Sequence, residues 1–513
     1  MNRTLRSSRF ALLPALVLAL AQVAAQAPTP LSREQVEAIA TAADEGFAPK
    51  GFALAVVQDG NVLAEVAHGE RASGVPMTPT SLFNIASCTK AFTAAAVAML
   101  VQQGKLQWDD LVIDHVPEFR MSDPWITAHM TVRDLLSHRC GLGTFDGDLL
   151  WYGSDYDDAE VMKRAARLPI RQRFREQFGY QNIMFMVAGT IVQRRSGQSW
   201  EEFVETWLLQ PLGMATTRAS AQRLPADAEK ALPHIGGEVV TDHEFVACKP
   251  AASIYSSVHD LTAWMRMLLD GGQWQGKRML AETSLREMWR PHVAIGGGTG
   301  AGTGDFWSYG MGWFLSLERG QKVVEHDGGM PGFLSKVSLM PAEKFAFVVL
   351  NNANDSDLNR AVKRALLAAR AGRDGIAEIK RLATAKQRND ERDRATVKQR
   401  EALRQPDTRP TFALASYAGK YEDSIYGPAV VAVQGEKLEV TLLPSKRRLH
   451  GALQHWHHDT FRVDWPDKFL PFALVRFELD HEGKVAGFRI DCPIADFDFA
   501  ALDFRRVTEP TKK

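Results

Sequence analysis

The chain has 513 residues and carries 61 basic and 61 acidic side chains, so its formal net charge is zero. That balance offers no basic face to nucleic acid or to an anionic surface, and an apolar fraction of 45% is that of a globular protein with room for two or three domains. The four cysteines, Cys88, Cys140, Cys248 and Cys492, lie far apart with no C-x-x-C pair. This argues against a zinc centre or a disulfide-built fold, and leaves open a single bridge in an oxidising compartment.

Residues 1–27 read as a secretory signal: Arg3, Arg6 and Arg9 precede an apolar run over 10–21, and the small residues Ala24, Ala25 and Ala27 follow as cleavage positions. The run is short for a bilayer and contains Pro14, and no later stretch has a membrane-spanning pattern. No cysteine lies nearby to take a lipid, so the expected product is exported, secreted or periplasmic, without stable membrane insertion; an uncleaved anchor is the alternative.

The pattern over 51–65 is apolar, with Asp59-Gly60-Asn61 as a hairpin signal. Ser87-Cys88-Thr89-Lys90 then opens the apolar run 91–101. In a helix beginning there, residues i and i+3 share a face, so the Ser87 hydroxyl and the Lys90 amine come within hydrogen-bonding reach. An amine in a dry site can lose its proton and serve as base for an otherwise weak hydroxyl nucleophile. A helix start also leaves backbone N–H groups free for an oxyanion. The same four residues equally describe an N-cap followed by a solvated lysine, and Cys88 reads as a packed helix residue.

Thr131 followed by Asp134 forms a capping-box pattern that predicts another helix, and His138 at its end reads as structural. Tyr180-Gln181-Asn182 precedes a helical run over 183–195. Tyr180 is a packing residue, or a proton carrier if a neighbouring lysine cation lowers its pKa, and Asn182 has the paired donor and acceptor to orient the lysine or a substrate amide. Ser257 and Asp260 repeat the capping-box pattern before a helix over 261–269. The glycine-rich stretch 296–304 lacks a lysine and a preceding strand, and reads as a surface loop rather than a phosphate loop. Strands are expected over 309–314, 323–329, 337–340 and 345–350, with a closing helix over 361–371. His326-Asp327-Gly328-Gly329 ends the second of these, where glycines let backbone approach a ligand and leave an N–H pointing at it.

Residues 373–409 carry mixed-sign charges and almost no aromatics, which predicts a solvated, partly helical linker. Residues 410–508 then alternate in the manner of a small all-β barrel, with strands expected over 429–433, 438–442, 460–463, 474–479, 485–490 and 497–504. His455 and His457 would share a face of a strand, but without a cysteine or a third well-spaced ligand they do not make a metal site.

Ser87-x-x-Lys90, Tyr180-x-Asn182 and His326-x-Gly328, in that order, resemble the three motifs of the serine β-lactamase and penicillin-recognising hydrolase superfamily. The branch is that of class C β-lactamases, D-alanyl-D-alanine carboxypeptidases, D-aminopeptidases and related esterases. The segments Leu135-Leu136-Ser137-His138, Pro211-Leu212-Gly213-Met214 and Tyr309-Gly310-Met311-Gly312-Trp313 agree, and the resemblance covers residues 31–372. It implies an α+β fold in which an antiparallel sheet flanked by helices meets a helical lobe, with the site in the cleft between them. It further implies Ser87 as the acylated nucleophile, Lys90 with Tyr180 as the proton shuttle, Asn182 as holder of lysine and substrate, and the N–H groups of Ser87 and Gly329 as the oxyanion hole. Removing one such donor typically costs ~3 kcal/mol of transition-state stabilisation. His326 completes the catalytic set, with Asp327 and Gly328 beside the substrate. The segment Tyr417-Ala418-Gly419-Lys420-Tyr421 resembles the lipocalin-like domain attached to some of these hydrolases.

Two features restrict the substrate. β-Lactamases carry lysine where this chain has His326, and histidine is mostly neutral at pH 7, which weakens the case for strong β-lactam hydrolysis. Asp327, if it points inward, disfavours acidic substrates. The expectation is therefore an exported serine hydrolase, free of metal and cofactor, acting on small amides or esters, with D-amino-acid peptides or cell-wall fragments preferred. The alternatives are an esterase with weak β-lactamase activity, a non-catalytic binder of peptidoglycan fragments on the same fold, and a barrel that carries an apolar ligand or walls the cleft.

Overall fold

The computed structural model describes residues 28–296, 306–354 and 356–507. The expected signal segment, and the glycine-rich stretch from Gly297 to Gly304, lie outside the described residues.

The catalytic-type domain is built on a nine-stranded antiparallel sheet. Its three longest C-terminal strands, Gln321–Met330, Phe333–Met340 and Phe345–Asn351, pair in succession, and the last pairs with the N-terminal strand Gly51–Gln58. The chain thus returns after some 300 residues to close the sheet beside its own beginning. Strand Gly51–Gln58 is buried on both faces, which is why its sequence is continuously apolar rather than alternating. Phe52, Leu54 and Val56 pack with Ile39 and Ala43 of the helix Arg33–Phe47 and with Leu358, Val362 and Leu366 of the helix Ser356–Arg370. Ala53, Ala55 and Val57 face the other way, into the cluster containing Phe92 and Ala96. The turn to the next strand, Asn61–Ala72, places Asp59 and Gly60 at φ 53° and 78°, the paired left-handed geometry that a two-residue hairpin requires.

Behind the sheet runs the helix Thr89–Gln102, buried from Thr89 to Leu100 on all sides, so it is alanine-rich and apolar all round. The closing helix spans Ser356–Arg370, longer at its start than its apolar pattern indicated. Thr131 and Asp134 form the full capping box at Val132–Leu136. The second one is only half made: Ser257 Oγ accepts from the Asp260 N–H, but the Asp260 carboxylate binds the N–H and hydroxyl groups of Thr216 and Thr217 instead. Tertiary partners outcompete the local cap there.

The segment expected as a solvated linker is one continuous helix, Gly375–Ala402. Ile379, Leu382 and Ala383 bury its first turns against the sheet-covering helices, and Arg400 near its end bonds the Phe472 carbonyl and Asp491. It is a strut between the two domains.

The C-terminal domain is a closed eight-stranded antiparallel barrel, sealed by pairing of Gly419–Asp423 with Phe504–Arg506. Strand His450–His457 belongs to it, while the expected strand 497–504 is a 3-10 turn, Phe499–Ala501, leading into Phe504–Arg506. Tyr417, Tyr421, Phe461, Phe477 and Phe488 pack ring against ring and are all buried. They fill the space in which a carried apolar ligand would have to lie. His457 and His458 bond the backbone and side chain of Gln405, fastening the strut to the barrel.

Candidate active site

Ser87 sits in a 3-10 turn, Ala86–Cys88, immediately before the buried helix. Ala86 has φ 45°, a left-handed backbone that a non-glycine residue resists, and Asn84 Oδ1 holds it by accepting the Ala86 N–H at 2.7 Å. The strained turn presents the serine at the helix mouth, and one helical turn on is Lys90. Its side chain is wholly buried, with Nζ 3.0 Å from Ser87 Oγ, 2.6 Å from Asn182 Oδ1 and 3.0 Å from the Ala251 carbonyl. Burial disfavours the ammonium and brings its pKa down to about 7, although the negative charge of Asp148 pulls the other way. The folded protein therefore binds fewer protons at this amine than the unfolded chain does between pH 7 and 10.5, and its contribution to stability grows with pH through that window.

Tyr180 lines the same cleft as Ser87, its ring centroid 4.8 Å from Lys90 Nζ. The condition attached to its reading as a proton carrier, a pKa lowered by the lysine cation, is not met. Burial raises it above the ordinary phenol value, so Tyr180 keeps its proton and Lys90 is the group poised to accept one.

Asn182, at the first turn of the helix Asn182–Ser196, is oriented by a residue that carries no sequence motif. Asp148 Oδ2 accepts from Asn182 Nδ2 at 2.6 Å, and Asp148 Oδ1 accepts from Trp151 Nε1 at 2.8 Å. A carboxylate accepts only, so the amide nitrogen of Asn182 faces Asp148 and its oxygen faces Lys90. Asp148 is fully buried, and desolvation raises its pKa to about 7. Replacing Asp148 by asparagine keeps an acceptor for Asn182 and removes the charge that favours the Lys90 cation. The expected result is a pH–rate midpoint for Ser87 modification displaced to lower pH with the alkaline plateau retained, measured by phosphonate labelling across pH. An unmoved midpoint would exclude the electrostatic role.

His326 lines the cleft as a neutral ring, the state its residue type implies near pH 7. Its Nδ1 lies 2.6 Å from the Asp327 carbonyl, so that nitrogen carries the proton, and its Nε2 accepts from the Tyr309 hydroxyl at 2.8 Å. Both ring nitrogens are committed and the ring is buried. Desolvation and the Lys90 charge lower its pKa to about 3, so it stays neutral and supplies no cation to a substrate carboxylate. Asp327 likewise does not act as a substrate contact through its side chain. Strand alternation sends it to the other face, where it forms an ion pair with Lys336. His138 packs 4.1 Å from the Tyr180 ring and 4.4 Å from Tyr309, and its Nδ1 accepts the Gln181 N–H, so it props the tyrosine from behind. Cys88 bonds the His326 carbonyl and Ser335, and burial pushes its thiol up to about 12, which makes it no second nucleophile. All four cysteines are buried and unpaired.

Gly328 and Gly329 differ. A Cβ on Gly328 would lie 2.2 Å from both the Ile85 carbonyl and Ser335 Oγ, so this glycine lets the strand press onto the turn that carries Ser87. Gly329 has space for a Cβ and is exposed at the rim of the site, where the resemblance places an oxyanion donor.

Ser87, Tyr180, Asn182, His326, Gly328 and Gly329 all line one cleft of about 580 Å³. Part of its wall comes from the barrel, through Phe469, Asp496 and Phe497. The domains are held together around it. Tyr152 donates to Asp467 at 2.7 Å, Arg448 donates to the Asp242 carbonyl at 3.1 Å, Arg171 pairs with Asp498 at 2.7 Å, and the Phe497 ring packs 4.3 Å from Tyr152. Among the described residues lining the cleft there is no lysine or arginine; of its aspartates, Asp148 is buried against Asn182 and Trp151, Asp327 turns its carboxylate to Lys336 on the other face, and Asp496 is exposed.

Comparison with known proteins agrees with this architecture. A family model described as Beta-lactamase matches residues 38–371, and one for a domain of unknown function (DUF3471) matches residues 403–506. Penicillin-binding protein 4 of Amycolatopsis lactamdurans is 30% identical over 323 residues, 59% of this chain and 80% of its own length. An unguisins hydrolase of Aspergillus campestris is 27% identical over 344 residues, 64% of this chain and 62% of its own, so the chain spans less than two thirds of that relative. The octameric penicillin-binding protein homologue from Pyrococcus abyssi aligns with a TM-score of 0.59 at 19% identity, over 90% of this chain and 99% of its own. The D-amino acid amidase of Ochrobactrum anthropi SV3 aligns with a TM-score of 0.54 at 23% identity, over 69% and 99%. At these identities the two structures share a fold with this chain, and activity has to be argued from the site.

Proposed function

The chain belongs to the Beta-lactamase family, and from that premise we propose that it is an exported serine hydrolase that cleaves small amides or esters through an acyl-enzyme on Ser87. The observation that carries the reading is Lys90 Nζ, buried, depressed to a pKa of about 7 and 3.0 Å from Ser87 Oγ. In this reading the neutral amine takes the hydroxyl proton as Ser87 Oγ bonds to the substrate carbonyl carbon. Tyr180, kept protonated by burial, donates to the leaving group as the carbonyl–leaving-group bond breaks, and is reprotonated from Lys90. Water then hydrolyses the ester on Ser87 by the same steps in reverse. The Ser87 and Gly329 N–H groups bind the oxyanion throughout.

Peptides of D-amino acids are the preferred substrate class. Of their two ends, the cleft favours the amine: its described lining carries the exposed carboxylate of Asp496 and no lysine or arginine, and His326 is neutral. That supports an amidase or aminopeptidase over a carboxypeptidase, and leaves β-lactams, which bear a carboxylate, as poor substrates. The Penicillin-binding protein relative keeps a slow β-lactam acylation as a second reading.

The test is intact-protein mass after incubation with a fluorophosphonate and, separately, with a penicillin, for wild type and Ser87→Ala. The expected result is a phosphonyl adduct on wild type alone, and little or no penicilloyl adduct. Absence of a phosphonyl adduct on folded wild-type protein would remove Ser87 as nucleophile and favour a binding protein. A stable penicilloyl adduct would favour a penicillin-binding peptidase.

A further inference from the structure

We propose that the barrel sets the geometry of the catalytic base: Asp467 is a positioning residue which, by holding the Tyr152 hydroxyl, fixes the turn that carries Asp148 and so the orientation of Asn182 and Lys90. The inference rests on the reading of Ser87 as nucleophile with Lys90 as its base, and gives the barrel a part in that site.

Asp148 opens the 3-10 turn Asp148–Leu150, and the Tyr152 N–H closes it by donating to the Asp148 carbonyl at 3.0 Å. Tyr152 is buried, and its hydroxyl donates to Asp467 Oδ2 at 2.7 Å, across the domain boundary. At the other end of the segment Arg171 bridges Asp146 and the barrel's Asp498, so the chain that bears Asp148 is tied to the barrel on both sides. Asp467 is itself a fixed point. Its Oδ1 accepts the Phe469 N–H, its Oδ2 accepts from Arg448 as well as Tyr152, and Arg448 donates onward to the Asp242 carbonyl of the catalytic domain. Lys230 and Tyr255 in turn hold the Asp242 carboxylate, at 3.0 and 2.5 Å. A carboxylate that receives three donors is held against rotation, and the phenol it binds is placed with it.

From Tyr152 the constraint runs to the reacting groups, from Asp148 to Asn182 at 2.6 Å and from Asn182 to Lys90 at 2.6 Å. A displaced turn loosens the first contact and with it the second. Lys90 is also faced by Cys88 and Cys248, whose thiols burial keeps protonated, by the phenol of Tyr180, and by the neutral rings of His138 and His326. Among these groups Asp148 alone brings a negative charge to the amine near neutral pH, so a shift of the turn registers in the pH profile as well as in the rate.

The experiment measures, on the full-length protein, the rate of fluorophosphonate labelling of Ser87 from acid to alkaline pH for wild type, Tyr152→Phe, Asp467→Asn, the double variant and Arg167→Ala. Tyr152→Phe keeps the ring against Phe497 and His243 and removes only the hydroxyl. Asp467→Asn changes a residue outside the cleft lining, and a single amide oxygen cannot keep the Tyr152, Arg448 and Phe469 donors together. Each single variant is expected to lower the alkaline plateau about tenfold, less than the ~10²-fold that an ångström of misplacement costs, and to move the midpoint to lower pH. The double variant is expected to add nothing to the larger single effect. Arg167→Ala removes a bond between the domains elsewhere, to the Ser424 carbonyl, and is expected to keep the wild-type plateau and midpoint. An unmoved midpoint in Tyr152→Phe overturns the proposal, even if the unfolding temperature falls. Effects that add in the double variant overturn it by separating Asp467 from Tyr152, and an Arg167→Ala profile like that of Asp467→Asn overturns it by assigning the effect to domain docking at large. If Asp467→Asn does not fold, the midpoint of Tyr152→Phe decides alone. If the fluorophosphonate fails to label wild type at all, the serine-hydrolase reading has failed first and the positioning role falls with it, an outcome distinct from labelling with an unmoved profile.

Discussion

Lys90→Met lowers the rate of Ser87 acylation by about 10²–10⁴-fold, the range that general-base catalysis supplies, and removes its pH dependence near neutrality. The substitution nearly preserves the volume of a side chain packed with no exposure, so the loss comes from the amine rather than from a cavity. In the proposed mechanism the base is the neutral form of a group with a pKa of about 7, so the active fraction is expected to rise with pH and to be half-maximal near that value. Asp148, raised to about 7 as well, titrates in the same range, so the observed midpoint belongs to the linked pair Lys90 and Asp148 through Asn182. The measurement is the fluorophosphonate labelling rate of wild type and Lys90→Met from acid to alkaline pH. A variant that keeps the wild-type pH limb would show that another group accepts the Ser87 proton.

Gly328→Ala carries the second large effect, and it acts through sterics alone. The added methyl would sit 2.2 Å from the Ile85 carbonyl oxygen and 2.2 Å from Ser335 Oγ. Ser335 can rotate, but the carbonyl belongs to the backbone leading into the strained Ala86 turn, which the strand would have to push away. Overpacking of this kind typically costs about 1–3 kcal/mol of stability, and displacing reacting groups by an ångström lowers rate by about 10²-fold. Thermal unfolding and phosphonate labelling should therefore both fall. Gly329→Ala provides the contrast in stability, because its Cβ would meet only Leu334 Cδ2, at 3.4 Å. Equal unfolding temperatures for the two variants would refute the packing account of Gly328.

How much of this was legible in the chain depends on the range of the interaction. Ser87 and Lys90 are three residues apart on one helix, so their pairing follows from helical geometry and needs no tertiary information. The Asp59-Gly60 hairpin and the Thr131 cap are also local, and the strands of the sheet follow from unbroken apolar runs. The family motifs carried Tyr180, Asn182 and the glycines into the same cleft because the order of motifs along the chain is the order in which the fold assembles them.

What local pattern could not carry is every role set by a distant partner. His326 has the same residue type and spacing whether it is a charged substrate ligand or a neutral prop. Only the Tyr309 hydroxyl and the burial around the ring decide that it is the prop. From sequence Tyr180 is a packing residue or, given a lysine cation that lowers its pKa, a proton carrier, and only the packed structure shows that desolvation moves the pKa upward. Asp148 sits in no motif, and its importance arises from an Asn182 amide 34 residues away. The charged segment after the sheet became a 28-residue helix because Ile379, Leu382 and Ala383 found the sheet-covering helices to pack on. By itself, then, the sequence carried the Ser87–Lys90 contact and the order of an α+β domain before a barrel, through helical spacing, the order of the family motifs and apolar periodicity. The protonation of the site, and the entry of the barrel's Asp496 and Phe497 into the cleft, were decided by tertiary structure, because desolvation and convergence of distant loops exist only once the chain is packed.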